Sequence, residues 1–265
     1  MASRRAGATA TPLPPDQRAQ DEAFRVLRSN HDVVIADMDR PSVVVTSARP
    51  GEGKTATTAH LARSLALSGR RVIAVDLDLR HPDLHRWLGG ENNVGVSDVL
   101  LDDVPLDAAL QYVPIGTGPK SDPRALYLLP TGRNVPNPSE LLGTRRMAQV
   151  LATLVDQADI VMIDTPPVLP VADTLVIGRI AAGALLVVEM HQTPFGAVQQ
   201  AKNALIRNQT RLLGLVMNKL QPKDTSPGYG YGYGYGYGYG TTDEAEASET
   251  PDTDGRSTRP ARPVV

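Results

Sequence analysis

Residues 48–55, which read ARPGEGKT, combine the residue types that a triphosphate site requires. They follow the β-branched run SVVVTS and precede an alanine- and leucine-rich helical pattern. The glycines allow backbone N–H groups to turn toward phosphates, and the following helix points its positive end at them. The pattern predicts a phosphate-binding loop with Ala in place of the first Gly, in which Lys54 reaches phosphate oxygens and Thr55 offers a hydroxyl to Mg²⁺. The expected nucleotide-binding residues are Ala48, Arg49, Pro50, Gly51, Glu52, Gly53, Lys54, Thr55 and Ala56. The alternative is an ordinary glycine turn between a strand and a helix.

Three carboxylates follow apolar runs of strand length. Asp76 and Asp78 lie in VDLDLR, where alternation along a strand would put both side chains on one face, and Asp164 ends DIVMID. Because ligands of open α/β sheets bind outside the carboxyl ends of the strands, we expect all three to meet one triphosphate. Unpaired, such carboxylates would repel one another and raise the pKa of at least one of them. With Mg²⁺ present, they can share its charge or leave one carboxylate free as a base. The alternative for Asp76 or Asp78 is that it caps the next turn.

Asn218 closes a later apolar run, GLVMN. An amide at that edge could bind an adenine ring, although an Asn at a strand end is also a common turn residue.

Buried strands must hold these residues in place. The runs VVVTS, RVIAVD, IVMID, GALLVVEM and RLLGLVMN are continuous and apolar, as in strands that are covered on both faces, and helical patterns separate them. The alternation predicts an α/β fold with a doubly wound, mostly parallel sheet. One helix is expected across residues 137–157, where Asn137 would cap, Pro138 would occupy the first position and Glu140 would complete a capping box.

Composition limits the class of protein. A length of 265 residues suits one domain with tails, and a net charge of −2 argues against a nucleic-acid binder. There is no cysteine, and no apolar run approaches the roughly 20 residues that span a bilayer. We therefore expect a disordered leader over residues 1–20, one domain over residues 21–220, and a flexible tail over residues 221–265.

The tail contains an alternating array of glycine and tyrosine over residues 228–240, followed by an acidic segment. Alternating aromatic and small residues could associate without any catalysis, so a sticky low-complexity segment is one interpretation. The other is a set of phosphate acceptors: Tyr229, Tyr231, Tyr233, Tyr235, Tyr237 and Tyr239.

The ordered set of motifs resembles the bacterial tyrosine kinases of capsule and exopolysaccharide assembly. PGEGKT resembles their Walker A motif, VDLDLR their Walker A′ motif and VMIDTPP their Walker B motif, and a tyrosine-rich end follows. The resemblance implies an ATP- and Mg²⁺-dependent autokinase on the fold of the P-loop ATPases ParA and MinD. It implies catalytic roles for Lys54 and the three carboxylates, with Asp76 as base, Mg²⁺ ligation by Thr55, Asp78 and Asp164, and an adenine contact for Asn218.

The resemblance also implies partners. EAFRVLR matches the family's oligomerisation motif, so Glu22, Arg25 and Arg28 would contact a second subunit. The family forms rings, an octamer by resemblance, in which one subunit phosphorylates the tail of another. A separate membrane-embedded activator or polysaccharide co-polymerase would hold the cytoplasmic kinase at the inner face of the cell membrane, a phosphotyrosine phosphatase would reset it, and nucleic acid would not be a partner.

Two other functions fit parts of the sequence. A positioning ATPase of the ParA/MinD type would share the fold, but this chain has Arg49 where those proteins carry a signature lysine. A non-catalytic binding module would keep ATP as a structural ligand, although the complete set of phosphate-loop and carboxylate residues argues against an inactive site.

Overall fold

The computed structural model describes residues 15–39, 41–117, 122–221 and 224. Seven strands form one sheet: β1 (Ser42–Ser47), β2 (Val72–Asp76), β3 (Gln111–Thr117), β4 (Pro123–Leu129), β5 (Ile160–Asp164), β6 (Gly183–Glu189) and β7 (Leu212–Asn218). Their order across the sheet is β3-β4-β2-β5-β1-β6-β7. All neighbouring strands are parallel except β3 and β4, which form an antiparallel pair. The predicted doubly wound, mostly parallel sheet is confirmed.

Helices cover both faces of this sheet. They are α1 (Pro15–Val34), α2 (Lys54–Leu67), α3 (Leu84–Leu88), α4 (Val96–Leu100), α5 (Leu106–Ala109), α6 (Pro138–Leu142), α7 (Arg145–Gln157), α8 (Asp173–Gly178) and α9 (Phe195–Arg207). The first three pack on one face and the others on the opposite face, which gives two apolar clusters separated by the sheet. The central strands β1, β2 and β5 are therefore buried along their whole length, as their unbroken apolar sequences predicted.

The pattern across residues 137–157 forms two helices, and the prediction of a single helix was wrong. The chain turns at Gly143, and Thr144 accepts a hydrogen bond from the backbone N–H of Met147 to cap the second helix. Pro138 lies in the first turn as expected, but the side chain of Asn137 makes no capping hydrogen bond, so the expected capping box with Glu140 is not formed.

Two boundaries also differ from the predictions. Helix α1 begins at Pro15, before the expected end of the leader, because proline is well suited to the first turn of a helix. Strand β2 ends at Asp76, so Asp78 lies in the loop beyond it and not on the strand face. Among the described residues, no helix is long and apolar enough to cross a membrane.

Candidate nucleotide site

The loop between β1 and α2 adopts backbone angles that require glycine. Gly51 and Gly53 have φ angles of 82° and 93°, in the left-handed region that residues with a Cβ rarely adopt. A Cβ atom at Gly53 would also collide with the side chain of Asn218. The fold therefore demands both glycines and opens α2 at Lys54, with the positive end of the helix at the loop.

Lys54 lies among the three expected carboxylates. Its Nζ donates to Asp78 Oδ2 at 2.8 Å and lies 3.8 Å from Asp164 Oδ2 and 3.2 Å from the hydroxyl oxygen of Thr55. Asp76 joins them because β2 and β5 are neighbours that align Asp76 directly with Asp164. The structure thus brings together the catalytic and metal-binding residues that the sequence predicted, with one ammonium facing three buried carboxyl groups.

The carboxyl group of Asp164 is fully buried and only partly satisfied. One oxygen lies 3.3 Å from the hydroxyl of Thr58, whereas Oδ2 has no hydrogen-bond partner in the described part of the chain. Burial raises the pKa of Asp164 to about 6, against the lowering effect of the Lys54 charge. A buried oxygen without a donor, next to a charged amine, is suited to accept a cation or a cation-bound water.

The donor set suits Mg²⁺, which prefers oxygen ligands and keeps several waters. Thr55, Asp78 and Asp164 would supply a hydroxyl and two carboxylates, and phosphate oxygens would complete the set. In the described ranges, no group of three or more Asp, Glu, His or Cys residues is arranged to hold a metal by itself. A metal here would therefore depend on the bound phosphates, as in other nucleotide sites.

Asp76 is bound into the loop that follows β2. Its Oδ1 accepts from the backbone N–H of Asp78, and its Oδ2 accepts from those of Asp83 and Leu84, at 3.1 to 3.2 Å. Burial and the neighbouring Asp164 raise the pKa of Asp76 well above its usual range, in spite of these donors. The carboxyl group therefore shapes the loop and is also able to hold a proton.

Two side chains that were predicted to bind the nucleotide form hydrogen bonds with the backbone of the phosphate-binding loop. The carboxylate of Glu52 is buried and accepts from the backbone N–H groups of Ala48 and Arg49 at 2.9 and 3.2 Å. Asn218 donates from Nδ2 to the carbonyl oxygen of Glu52 at 2.9 Å. The predicted adenine contact of Asn218 would thus have to use the other atoms of its amide.

Sequence reasoning missed a cluster that supports the site. Arg80, the last residue of VDLDLR, donates from Nε and Nη2 to the two oxygens of Asp173 at 2.8 and 3.1 Å. Ser139 also donates to this fully buried carboxylate, and these bonds lower the pKa of Asp173 although burial opposes them. The cluster ties the loop that carries Asp78 to α6 and α8. Its members come from three distant stretches of sequence, so no local signal could join them.

The predicted oligomerisation residues lie on α1. Glu22 and Arg25 are exposed and form an ion pair with each other at 2.9 Å, whereas Arg28 donates to the carbonyl oxygen of Ser64 in α2 at 3.0 Å. Arg28 therefore holds α1 on its own domain, and a role in subunit contacts stays a prediction. The six tyrosines of the array lie outside the described residues.

Comparison with known proteins identifies a family and its members. The family of CobQ/CobB/MinD/ParA nucleotide-binding domains matches residues 43–228. The tyrosine-protein kinase YwqD of Bacillus subtilis is 37% identical over 209 residues, which cover 78% of this chain and 85% of that protein. Two other relatives, the putative tyrosine-protein kinases EpsB of Ralstonia solanacearum and AmsA of Erwinia amylovora, are longer, and the chain spans 27% of their length.

Solved structures of related proteins superpose on this chain. The kinase domain of the Escherichia coli tyrosine kinase ETK superposes with a TM-score of 0.71 at 29% identity, covering 88% of this chain and 89% of that domain. The septum site-determining protein MinD of Pyrococcus horikoshii, solved with Mg-ADP, superposes with a TM-score of 0.57 at 25% identity, covering 71% and 74%.

Proposed function

The chain belongs to the bacterial tyrosine kinases, within the CobQ/CobB/MinD/ParA family of nucleotide-binding domains, and we propose that it phosphorylates tyrosines of its own C-terminal array. The observation that carries the proposal is the placement of Lys54 between Asp78 and Asp164 at the start of α2. One ammonium group among buried carboxylates forms a site prepared for phosphate charge and a divalent ion.

Mg-ATP, when bound, would supply the γ-phosphoryl group and neutralise part of the charge that develops during its transfer. Lys54 would exchange its bond to Asp78 for phosphate oxygens, and this exchange would free the carboxylates for the cation. The backbone N–H groups of the loop and the N-terminus of α2 would hold the phosphates in line with an incoming tyrosine.

Asp76 is proposed as the base that accepts the proton of the tyrosine hydroxyl. Its raised pKa suits a group that must gain a proton during the reaction. The bonds that it accepts from backbone N–H groups fix its position, and at least one oxygen must keep a free lone pair for the hydroxyl.

The acceptor tyrosines are proposed to come from a neighbouring subunit of a ring. The first lies ten residues beyond Lys219 and the last twenty, which corresponds to roughly 17 to 25 Å for a flexible glycine-rich linker. Six phosphates would add about −9 to −12 charges to a chain whose net charge is −2. We infer that this charge weakens the ring, so that phosphorylation controls assembly and thereby capsule or exopolysaccharide synthesis and export.

We propose the regulators of the kinase and its location in the cell from its membership of the family. A membrane-embedded activator would recruit the kinase to the inner face of the cell membrane, and a phosphotyrosine phosphatase would restore the unmodified array. Association with the membrane would thus depend on a partner.

A direct test is incubation of the purified full chain with Mg-ATP, with and without the cytoplasmic segment of its activator, followed by peptide mapping. We expect phosphate on several tyrosines of the array and none in Lys54→Met, because the methionine cannot stabilise phosphate charge. Native mass before and after the reaction would follow the ring. Phosphotyrosine in Lys54→Met at the wild-type rate would contradict the proposal.

A positioning ATPase is the second candidate, favoured by the structural similarity to MinD. It would hydrolyse ATP and change its assembly state without forming phosphotyrosine. ATP hydrolysis with an unmodified array, even with activator present, would decide for this function.

A further inference from the structure

The residues at the end of β7 contact the phosphate-binding loop, although they lie more than 160 positions away in the sequence. Asn218 Nδ2 donates to the carbonyl oxygen of Glu52 at 2.9 Å, and Lys219 Nζ donates to that of Gly51, also at 2.9 Å. These two carbonyl groups belong to consecutive peptide bonds at the centre of the loop. The last strand and the residue after it therefore hold the loop through its backbone.

Such contacts control the direction of the loop's donors. In a planar trans peptide the C=O and N–H groups point in opposite directions. When Lys219 holds the carbonyl of Gly51, the N–H of Glu52 must face away from Lys219, and the bond from Asn218 turns the N–H of Gly53 in the same manner. Within the described residues neither N–H group has a hydrogen-bond acceptor. Both are available to an anion on the open side of the loop.

The side chain of Glu52 holds the opposite end of the loop. Its Oε2 accepts from the N–H groups of Ala48 and Arg49, and its Oε1 accepts from the hydroxyl of Thr193 at 2.6 Å. A carboxylate with three donors is satisfied although it is buried, so it is a fixed support and not a ligand for an anion. The first residues of the loop are thus tied internally, which leaves the residues that follow to bind phosphate.

Lys219 is itself held in place. Its Nζ also pairs with Glu189 Oε2 at 2.9 Å, and its backbone has a φ angle of 56°. A non-glycine residue in the left-handed region persists where its surroundings fix it. The ion pair neutralises the lysine, so its effect on a bound phosphate would come mainly from orienting the loop.

We propose that Asn218 and Lys219 are positioning residues that orient the peptide groups of Glu52 and Gly53 to donate hydrogen bonds to a diphosphate or triphosphate. The role is independent of the adenine contact expected for Asn218. The inference rests on the proposed function only in taking a nucleotide as the natural ligand.

Magnesium pyrophosphate is the probe that separates the two roles of Asn218, because it has phosphates and no base. Two variants of the full chain remove the donors without changing the net charge: Asn218→Leu, and the double variant Lys219→Met with Glu189→Gln. Lys219→Arg keeps a charged donor, and Lys202→Met changes an exposed lysine on α9 as a matched control. Affinities for Mg-pyrophosphate and Mg-ADP are measured by calorimetry or competition, with thermal unfolding of each protein alone.

We expect the two donor-removing variants to bind Mg-pyrophosphate about tenfold more weakly than the wild type. Each loses a hydrogen bond that orients a backbone N–H group toward the phosphate. Lys219→Arg should recover much of the affinity, Lys202→Met should lose none, and the unfolding temperatures should stay close to that of the wild type. If Asn218→Leu weakens Mg-ADP alone and leaves Mg-pyrophosphate unchanged, its role is adenine contact and the proposal is wrong for that residue. Unchanged affinities in both variants overturn it altogether.

Hydrogen exchange in the wild-type chain tests the proposal without any substitution. Addition of Mg-pyrophosphate should slow exchange at the N–H groups of Glu52 and Gly53, whereas unaltered exchange at both would contradict the assigned donors. Failure of this inference is distinct from failure of the kinase proposal. A chain that binds Mg-pyrophosphate in the expected manner but forms no phosphotyrosine would refute the kinase and leave the positioning role intact.

Discussion

The two ends of the parallel strands differ in how they place charge. At the carboxyl ends, one lysine faces three buried carboxyl groups. At the amino ends, a surface cavity of about 270 Å³ is lined by Arg70, Arg71 and Arg124 beside two tyrosines. Each of these arginines is paired with a single aspartate, in one exposed pair and two half-buried pairs.

The difference lies in balance and burial more than in the number of charges. Exposed pairs of matched charge gain little, because water already solvates both partners. Burying more carboxyl groups than there are cations to pair with them lowers the stability of the fold. A folded protein keeps such an unfavourable arrangement where a bound ligand supplies the missing positive charge. The carboxyl ends therefore have the electrostatic properties of a binding site, and the amino ends have those of an ordinary charged surface.

The largest expected effect is at the carboxyl ends, where Asp164→Asn would remove a proposed metal ligand. We expect the initial rate of tyrosine phosphorylation to fall at least about a hundredfold, since the variant loses charge stabilisation in the transition state. The unfolding temperature at pH 7.5 without nucleotide should not fall, because the pKa of Asp164 is raised to about 6 and its ionised form is disfavoured by burial. A drop of several degrees would show that this charge stabilises the fold.

A second prediction concerns His31, a buried ionisable side chain far from the nucleotide site. It shows whether burial without a hydrogen-bond partner also lowers the stability of the fold there. It is buried on α1, neither ring nitrogen has a hydrogen-bond partner among the described residues, and burial lowers its pKa to about 4. Because the folded state favours the neutral ring, His31 does not reduce the free energy of unfolding above pH 6.5. Its unfavourable contribution grows as the pH falls from 6.5 toward 4. The loss should reach about 3 kcal/mol relative to His31→Leu.

Denaturant unfolding of both proteins between pH 4 and pH 7 checks this value. The comparison with His31→Leu removes the contribution of carboxyl groups that titrate in the same range. Parallel stability curves for the two proteins would contradict the expected cost.

The smallest effect is expected at the amino ends, from Arg71→Met. This arginine is exposed and pairs with Asp159, which also accepts from the backbone N–H of residue 71 and would retain that bond. We expect no measurable change in kinase rate or Mg-ADP affinity and an unfolding temperature within about 2 °C of the wild type. A clear loss of kinase activity would mean that the amino ends contribute to function.

Much of the fold could be predicted because its signals are local. Buried parallel strands appear as continuous apolar runs, and the loop from Ala48 to Thr55 follows one of them. The antiparallel pairing of β3 with β4 was not anticipated, since these strands lie at the sheet edge and have exposed residues on one side. The helix expected across residues 137–157 breaks at Gly143, where the cap comes from Thr144 and not from Asn137.

The sequence by itself determined which groups could do chemistry: a glycine-rich loop with Lys54 and Thr55, and carboxylates that follow strands. Only the tertiary structure decided how these groups are used. The strand order makes β2 and β5 neighbours and thereby aligns Asp76 with Asp164. Folding also turns Glu52 inward and brings Asn218 to the loop. Such contacts join residues far apart in the chain, and their geometry depends on how helices and strands pack, which no local pattern encodes.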